Sequence, residues 1–360
     1  MVLHTDTNKP VVLVTAVGAP PGLNTLRFLH ESGKYRLVAT DADPMCTGLY
    51  HYVESGVKHA VLPKTTETKK YLDAVYGLIS EHGISAVIPC VEDEVRIFAR
   101  YRESISAAGA KVLLPDNEVL RIASNKVLST KVAEENRISC PQSVTLPQGH
   151  DIREIRKILE AFAGTCPLPW IVKPVFGHGM NGVTNVDSLE GALRAVEAAD
   201  SEVFVQECIP GEAGSMHLIG LLYDGDGRVV RRFSSRSFRT LYGNGGPATA
   251  GISIHLPRLI AQTEHLINCI GNWRGPAAVE WMLDPRDARF KYIEINPRLW
   301  GYSSLSVGAG ARFHECLVEL TLGNDLEDDP GFKEGVVMMR TTFDVMFETA
   351  PMGVATWAAQ

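Results

Sequence analysis

Glu280 lies in Ala-Ala-Val-Glu-Trp-Met-Leu and Glu294 in Lys-Tyr-Ile-Glu-Ile-Asn-Pro-Arg. Both segments have the branched and aromatic content of strands, and residues 284–288 between them carry turn chemistry. On adjacent antiparallel strands the two carboxylates can face one side. Asn296, two residues past Glu294, shares that side because strand side chains alternate. Two carboxylates and an amide oxygen are hard donors suited to Mg2+, which leaves its other positions to water and substrate phosphate. Arg298 closes the Asn-Pro-Arg run with a fixed cation. The competing reading is a set of exposed polar positions on a half-buried sheet, which any one of these glutamates would satisfy.

Lys173 ends the apolar run Ile171-Val172-Lys173 and precedes a loop holding Gly177, Gly179 and Gly182, with His178 and Asn181 among them. Glycines let backbone N–H groups approach phosphate oxygens, and a lysine adds a point charge. No G-x-x-x-x-G-K-[ST] occurs, so this is not a Walker A loop, and an ordinary turn explains the glycines equally well. Lys173 says more, since an unpaired buried ammonium is costly. A third segment, Val203-Phe204-Val205-Gln206-Glu207-Cys208-Ile209-Pro210-Gly211-Glu212, runs an apolar strand into an acidic hinge. Such a hinge can present backbone groups to an adenine edge and a carboxylate to a ribose; a plain strand-to-turn transition reads the same. Arg236 and Arg239 have the fork that matches a substrate carboxylate, against the alternative of solvated strand residues. Trp300, Tyr302 and Ser303 suit either an acceptor pocket or the core.

The elements that must position these residues divide the chain. Residues 10–16, 37–40, 60–62, 86–89 and 111–114 read as strands. Helical patterns at 22–32, 71–82 and 92–107 alternate with them. That order implies parallel βαβ units in an open α/β sheet. Residues 116–136 read as two helices broken near Ser124, 151–163 as a helix with Asp151 as N-cap, 170–173 as a strand and 188–199 as a helix. Beyond 203 the strands lengthen. Residues 203–206, 215–223 and 229–238 fit one antiparallel sheet, with Asp224-Gly225-Asp226-Gly227 as a turn. A glycine-rich loop, a helix at 256–269 and the strand pair 277–283 and 292–295 follow.

Composition narrows the function classes. The 360 residues are 45% hydrophobic and 21% charged, with a net charge of −7, enough for two or three soluble cores. No Lys/Arg run exceeds two residues, which argues against nucleic acid as the main partner. No apolar stretch approaches the ~18 residues of a membrane span, and the polar start lacks a signal-peptide core, so a cytoplasmic location is expected. The seven cysteines are scattered without a C-x-x-C pair, which disfavours a disulfide framework or a zinc site.

In order and spacing these residues resemble the ATP-grasp superfamily, and within it the carbamoyl-phosphate-synthetase-like carboxylate–amine ligases. The resemblance rests on Lys126 in Ser-Asn-Lys-Val-Leu-Ser-Thr-Lys, Lys173 with its glycine loop, Glu207 and Glu212 in the hinge, and Glu280 with Glu294-Ile-Asn296-Pro-Arg298. It implies an α/β and α+β chain with a Rossmann-like pre-ATP-grasp domain at 1–115. A two-lobed ATP-grasp domain would follow at 116–202 and 203–330, with 331–360 packing on the last lobe. It implies ATP with two Mg2+ ions, replaceable by Mn2+. Lys126, Lys173, Gly179 and Gly182 would meet the phosphates. Glu207 would hold adenine with the backbone of Cys208 and Ile209, and Glu212 the ribose. Glu280, Glu294 and Asn296 would bind metal. Arg298 and Lys173 would serve the transferred phosphoryl group, and Arg236, Arg239 and Arg298 the substrate. The implied partners are a small carboxylate and an amine joined through an acyl phosphate, and relatives are often homodimers.

Three rivals remain. Gly18-Ala19-Pro20-Pro21-Gly22 with Asp41 after the second strand suggests a dinucleotide site, but G-x-G-x-x-G is absent. A non-catalytic nucleotide-binding protein on the same fold, and an enzyme with a hydroxyl or thiol as nucleophile, are the others.

Overall fold

Val11–Val14 (β1) has four apolar residues in succession, all buried. A strand of that kind needs cover on both faces, which a parallel sheet with flanking helices provides. The computed structural model describes residues 8–341 apart from 148, 150, 178, 179, 212, 213 and 242–245. In it β1 pairs in parallel with Arg36–Asp41 (β2) and Ile84–Ile88 (β4), and β2 with Lys58–Val61 (β3). Val12 and Val14 enter one cluster with Leu26 and Leu29 of the helix Pro20–Ser32. Val11 and Leu13 enter another with Val75 and Ile79 of Thr68–His82 and Phe98 of Glu92–Arg100. Prolines open the first helix and Gly33 closes it in the left-handed region at φ 65°. The strand expected at 111–114 reduces to a single parallel bridge between Lys111 and Ala86. The helix expected at 92–107 breaks at Tyr101 into Glu92–Arg100 and Arg102–Ala107.

A four-stranded antiparallel sheet follows, in the order Ser143–Thr145 (β5), Val203–Glu207 (β8), Trp170–Pro174 (β6), Thr184–Val186 (β7). One face packs on the helices Ile152–Ala163 and Leu189–Glu197 around Leu159, Trp170, Val172 and Leu193. Asp151 and Ser188 cap the two helices through side-chain oxygens.

The largest sheet has six strands: Met216–Tyr223 (β9), Val229–Thr240 (β10), Ala248–Ser253 (β11), Gly275–Asp284 (β12), Arg289–Asn296 (β13) and Val337–Met339 (β14). Their spatial order is β13-β12-β9-β10-β11-β14. One face lies under the helix Pro257–Ile270. The other places Leu218, Phe233 and Ala278 against Trp300 and Phe313 and reaches the first sheet. Gly220 makes that contact feasible, since a Cβ there would lie 2.5 Å from the Trp300 ring.

The sequence-based grouping of 203–206 with 215–223 and 229–238 is corrected here. β8 pairs with β5 and β6, in the smaller sheet. Apolar content marks a strand but does not choose its partner. The segment read as a glycine-rich loop contains β11, Ala-Thr-Ala-Gly-Ile-Ser, which has little branched or aromatic content and is a strand because β10 and β14 flank it. Among the described residues no helix is long and apolar enough to cross a membrane.

Candidate active site

The β12–β13 hairpin pairs regularly from Asp284 with Arg289 to Trp281 with Tyr292. The ladder then skips Ile293, so that Glu280 pairs with Glu294. In an unbroken register Glu280 would oppose Ile293, and Glu294 would turn to the other face. The bulge leaves its mark on the neighbours: Tyr292 and Ile295, three apart, both enter the cluster under the helix Pro257–Ile270. The two carboxylates are thereby set opposite each other on the remaining face.

Burial pushes the Glu280 carboxyl well above its ordinary range, and the charge on Glu294 pushes it further, against Arg298, Lys126 and Lys173. Burial opposes ionisation of Glu294 as well, but Lys126 and Lys173 outweigh it and hold its carboxyl down. Lys126, Lys173 and Arg298 face the pair, and among the described residues no side chain pairs directly with Glu280. Asn296 Nδ2 donates to Glu294 Oε1 at 3.1 Å, and Asn296 Oδ1 stands 3.4 Å from Arg298 Nη2. No group of three or more His, Cys, Asp and Glu gathers for a metal among the described residues. Two carboxylates with an amide oxygen still fit Mg2+, which draws several ligands from water and phosphate.

Lys126 reaches this pair from another element. Asn125 Oδ1 accepts the Leu128 amide at 2.9 Å and starts the helix Lys126–Glu135 at the lysine. Lys126 N donates to the Val175 carbonyl at 3.1 Å, while Nζ donates to the Gly177 carbonyl at 2.6 Å and stands 3.3 Å from Glu294 Oε2. One side chain thus joins the glycine loop to the acidic pair. Lys173 on β6 is 7% exposed, with Nζ 5.2 Å from the Phe204 ring centroid. Burial pushes its ammonium down to about 8; Lys126 acts in the same direction, and Glu294 and Glu280 oppose. Gly177 and Gly182 take φ of 132° and 72°, and Met180 sits at 67°. Gly179 and His178 lie outside the described residues.

Glu207 ends β8. Its Oε2 accepts the Gln142 amide at 3.0 Å, and Oε1 meets Arg286 Nη2 at 2.5 Å. The Cys208 amide donates to the Pro169 carbonyl at 3.1 Å. Ile209 is buried, and Glu212 lies outside the described residues.

Arg236 does not join the acidic pair. It stands in the row Arg236–His217–Trp281, whereas Glu280 belongs to the adjacent row Ser235–Leu218–Glu280 and so to the opposite face. Arg239 bonds Thr249 Oγ1 at 3.0 Å through Nε. Trp300 stacks on Phe233 and meets Phe313 edge-on, and Ser303 is buried against His314 at 3.0 Å; both are core residues. Tyr302 is buried too, with its hydroxyl 3.3 Å from Ser235 Oγ in the Glu280 row. Asp41, the residue that kept a dinucleotide site in view, accepts the Gly18 amide at 2.8 Å and the Asp43 amide at 2.9 Å and so closes its own loop.

Two residues absent from the sequence-based set stand at the site. Glu92 meets Arg298 Nε at 2.7 Å and Nη2 at 2.5 Å, linking the first sheet's helices to Asn-Pro-Arg. Its place in the first helical turn gave no hint of a partner 206 residues away. Arg340 follows β14, and its guanidinium donates to the Gly301 carbonyl; among the described residues no carboxylate pairs with it. A cation ending an apolar run, Val-Val-Met-Met-Arg, is the same pattern that singled out Lys173.

Comparison with known proteins gives concordant results. The model of the ATP-grasp domain matches residues 123–302. No curated protein matches the chain. Among solved structures, a biotin carboxylase complex with βγ-ATP from Campylobacter jejuni is similar at 16% identity and TM-score 0.70, covering 91% of this chain and 74% of that one. The biotin carboxylase domain dimer of a 2-oxoglutarate carboxylase from Hydrogenobacter thermophilus, with MgADP, ADP and bicarbonate, is similar at 17% and 0.67, covering 89% and 71%. An L-amino acid ligase from Bacillus licheniformis is similar at 17% and 0.62, covering 88% and 74%. At such identities these structures speak to the fold alone. The matched segment spans half the chain and runs from the helix before Lys126 to just past Arg298, the stretch that builds the acidic pair and its lysines: this chain belongs to the ATP-grasp family.

Proposed function

We propose that the chain is an ATP-dependent carboxylate–amine ligase that forms an amide through an acyl phosphate and releases ADP and phosphate. The observation that carries this reading is the opposed pair Glu280 and Glu294, joined by Lys126 to the glycine loop. The two carboxylates would suit Mg2+, and Lys126 and Lys173 would suit the phosphates of a nucleoside triphosphate. Glu280, Glu294 and Asn296 would hold Mg2+, which would supply charge neutralisation and orientation of the phosphate oxygens.

The chemistry then asks for positioning more than for a protein nucleophile. A carboxylate oxygen of the substrate attacks the γ-phosphorus, and the bond to the ADP oxygen breaks. Lys126, Lys173 and Arg298 balance the charge on the transferring group. The amine attacks the acyl carbon, phosphate leaves, and the amine proton passes to solvent or phosphate. Glu207 and the backbone of Cys208 and Ile209 hold adenine. Arg340, rather than Arg236, anchors the substrate carboxylate. It is half-buried, has no acid partner among the described residues, and contacts Gly301, three residues past Arg298.

The test is an ADP-release screen with Mg2+ over carboxylates paired with amino acids and simple amines, with products read by mass. Amide product together with ADP is expected. ADP with an ester or thioester product would replace the amine by a hydroxyl or thiol. Nucleotide binding with no ADP from any pair would favour a binding module.

A further inference from the structure

The turn between β12 and β13 is built from ions. Asp284, 1% exposed, receives three contacts from Arg286: the backbone amide at 3.0 Å and Nε at 2.9 Å on Oδ1, and Nη2 at 2.6 Å on Oδ2. Lys291 Nζ stands 3.8 Å from the same Oδ2 and 2.7 Å from Asp287 Oδ2. A hairpin turn needs none of this; two residues of the right conformation suffice. Holding charge at a buried carboxylate is unfavourable unless the geometry is well satisfied. Beyond bracing the turn, the network aims a guanidinium. Arg286 Nη2 also reaches Glu207 Oε1 at 2.5 Å, on the other sheet, and the second oxygen of Glu207 is held by the Gln142 amide. The hairpin that carries Glu280 and Glu294 thus grips the strand end where the hinge begins.

We propose that Arg286 is a positioning residue that fixes the Glu207 carboxylate and sets the spacing between the hinge and the acidic pair, so that the chain selects a nucleoside triphosphate with an amino-purine base. This rests on the nucleotide-site reading of the preceding subsection. An ionised carboxylate is purely an acceptor. It suits the exocyclic amine of adenine and repels a ring carbonyl at the same position, as in guanine.

The experiment titrates the full chain, with Mg2+, against non-hydrolysable analogues of ATP and GTP by calorimetry. Wild type, Arg286→Gln, Glu207→Gln and the double variant are compared. Each single change is expected to weaken the ATP analogue roughly tenfold, the scale of one charge-assisted contact. The double variant should lose little more than the larger single loss, because Arg286 acts through Glu207. Glu207→Gln should also narrow the preference for the ATP analogue. A double loss equal to the product of the single losses overturns the proposal, as does binding by Arg286→Gln within twofold of wild type. A wild-type chain that binds neither analogue overturns the nucleotide-site reading and the proposal with it. Arg286→Gln deprives buried Asp284 of its main partner, so its unfolding midpoint is measured alongside. Glu207→Gln leaves that contact intact, and the base preference of this variant decides the matter if Arg286→Gln does not fold.

Discussion

Replacing Lys173 with Met should stabilise the free protein and weaken its hold on ATP. The ammonium is 7% exposed with no direct carboxylate partner among the described residues, and burial lowers its pKa from 10.5 to about 8. Each factor of ten in proton affinity corresponds to about 1.4 kcal/mol, so the native state carries about 3 kcal/mol against the charged form. Methionine keeps most of the side-chain length and removes that term. The pH dependence gives the sharper test. Below pH 8 the lysine is charged in both the native and the unfolded chain, and the full penalty acts. Between about 8 and 10.5 the native state has released a proton that the unfolded chain still holds, so stability rises with pH. Above 10.5 both forms are neutral and the penalty is gone. Denaturant melts at pH 6 to 11 should therefore show Lys173→Met ahead by up to about 3 kcal/mol at pH 7, with the gap closing across that window. Calorimetry should show a loss of roughly tenfold or more in Mg-ATP affinity. A variant less stable at pH 7, a gap independent of pH, or undiminished nucleotide affinity would refute the reasoning.

Further outcomes follow from the same geometry. Glu294→Ala should abolish Mg-dependent ADP release with the fold intact by circular dichroism; undiminished turnover would remove the metal assignment. Gly220→Ala places a Cβ 2.5 Å from the Trp300 ring and should lower stability by about 1–3 kcal/mol in a thermal melt. An unchanged midpoint would mean that Trp300 moves aside freely. Arg340→Ala should raise KM for the carboxylate roughly tenfold and leave KM for ATP nearly unchanged. Equal rises in both would assign Arg340 to the framework instead.

Much of the fold was legible because its cues are local. The run Val11–Val14 announces a doubly covered strand, Asp151 and Ser188 announce helix starts, and Asp224 to Gly227 announces a turn. β5, β7 and β14 were not legible, since three residues carry too little periodicity. β11 was hidden because its small residues resemble a loop until β10 and β14 flank them. β8 was legible as a strand and misassigned as to sheet, since pairing depends on which faces meet across the chain. In the site, the acidic pair and both lysines were legible from residue type and order. The row of Arg236 was not legible because its face depends on register: it stands with His217 and Trp281, and not with Glu280.

The sequence by itself determined which side chains carry charge and that Glu280, Glu294 and Asn296 end up on strands. Tertiary structure decided that the two carboxylates oppose each other. An alternating strand fixes a face only relative to its neighbours, and the skipped Ile293 changes which residue of β13 answers Glu280. The same holds for Glu92 against Arg298 and for Arg286 against Glu207, contacts between elements far apart in the chain. Residue type sets what a group can bind. Only the packing of three sheets sets what stands within three ångströms of it.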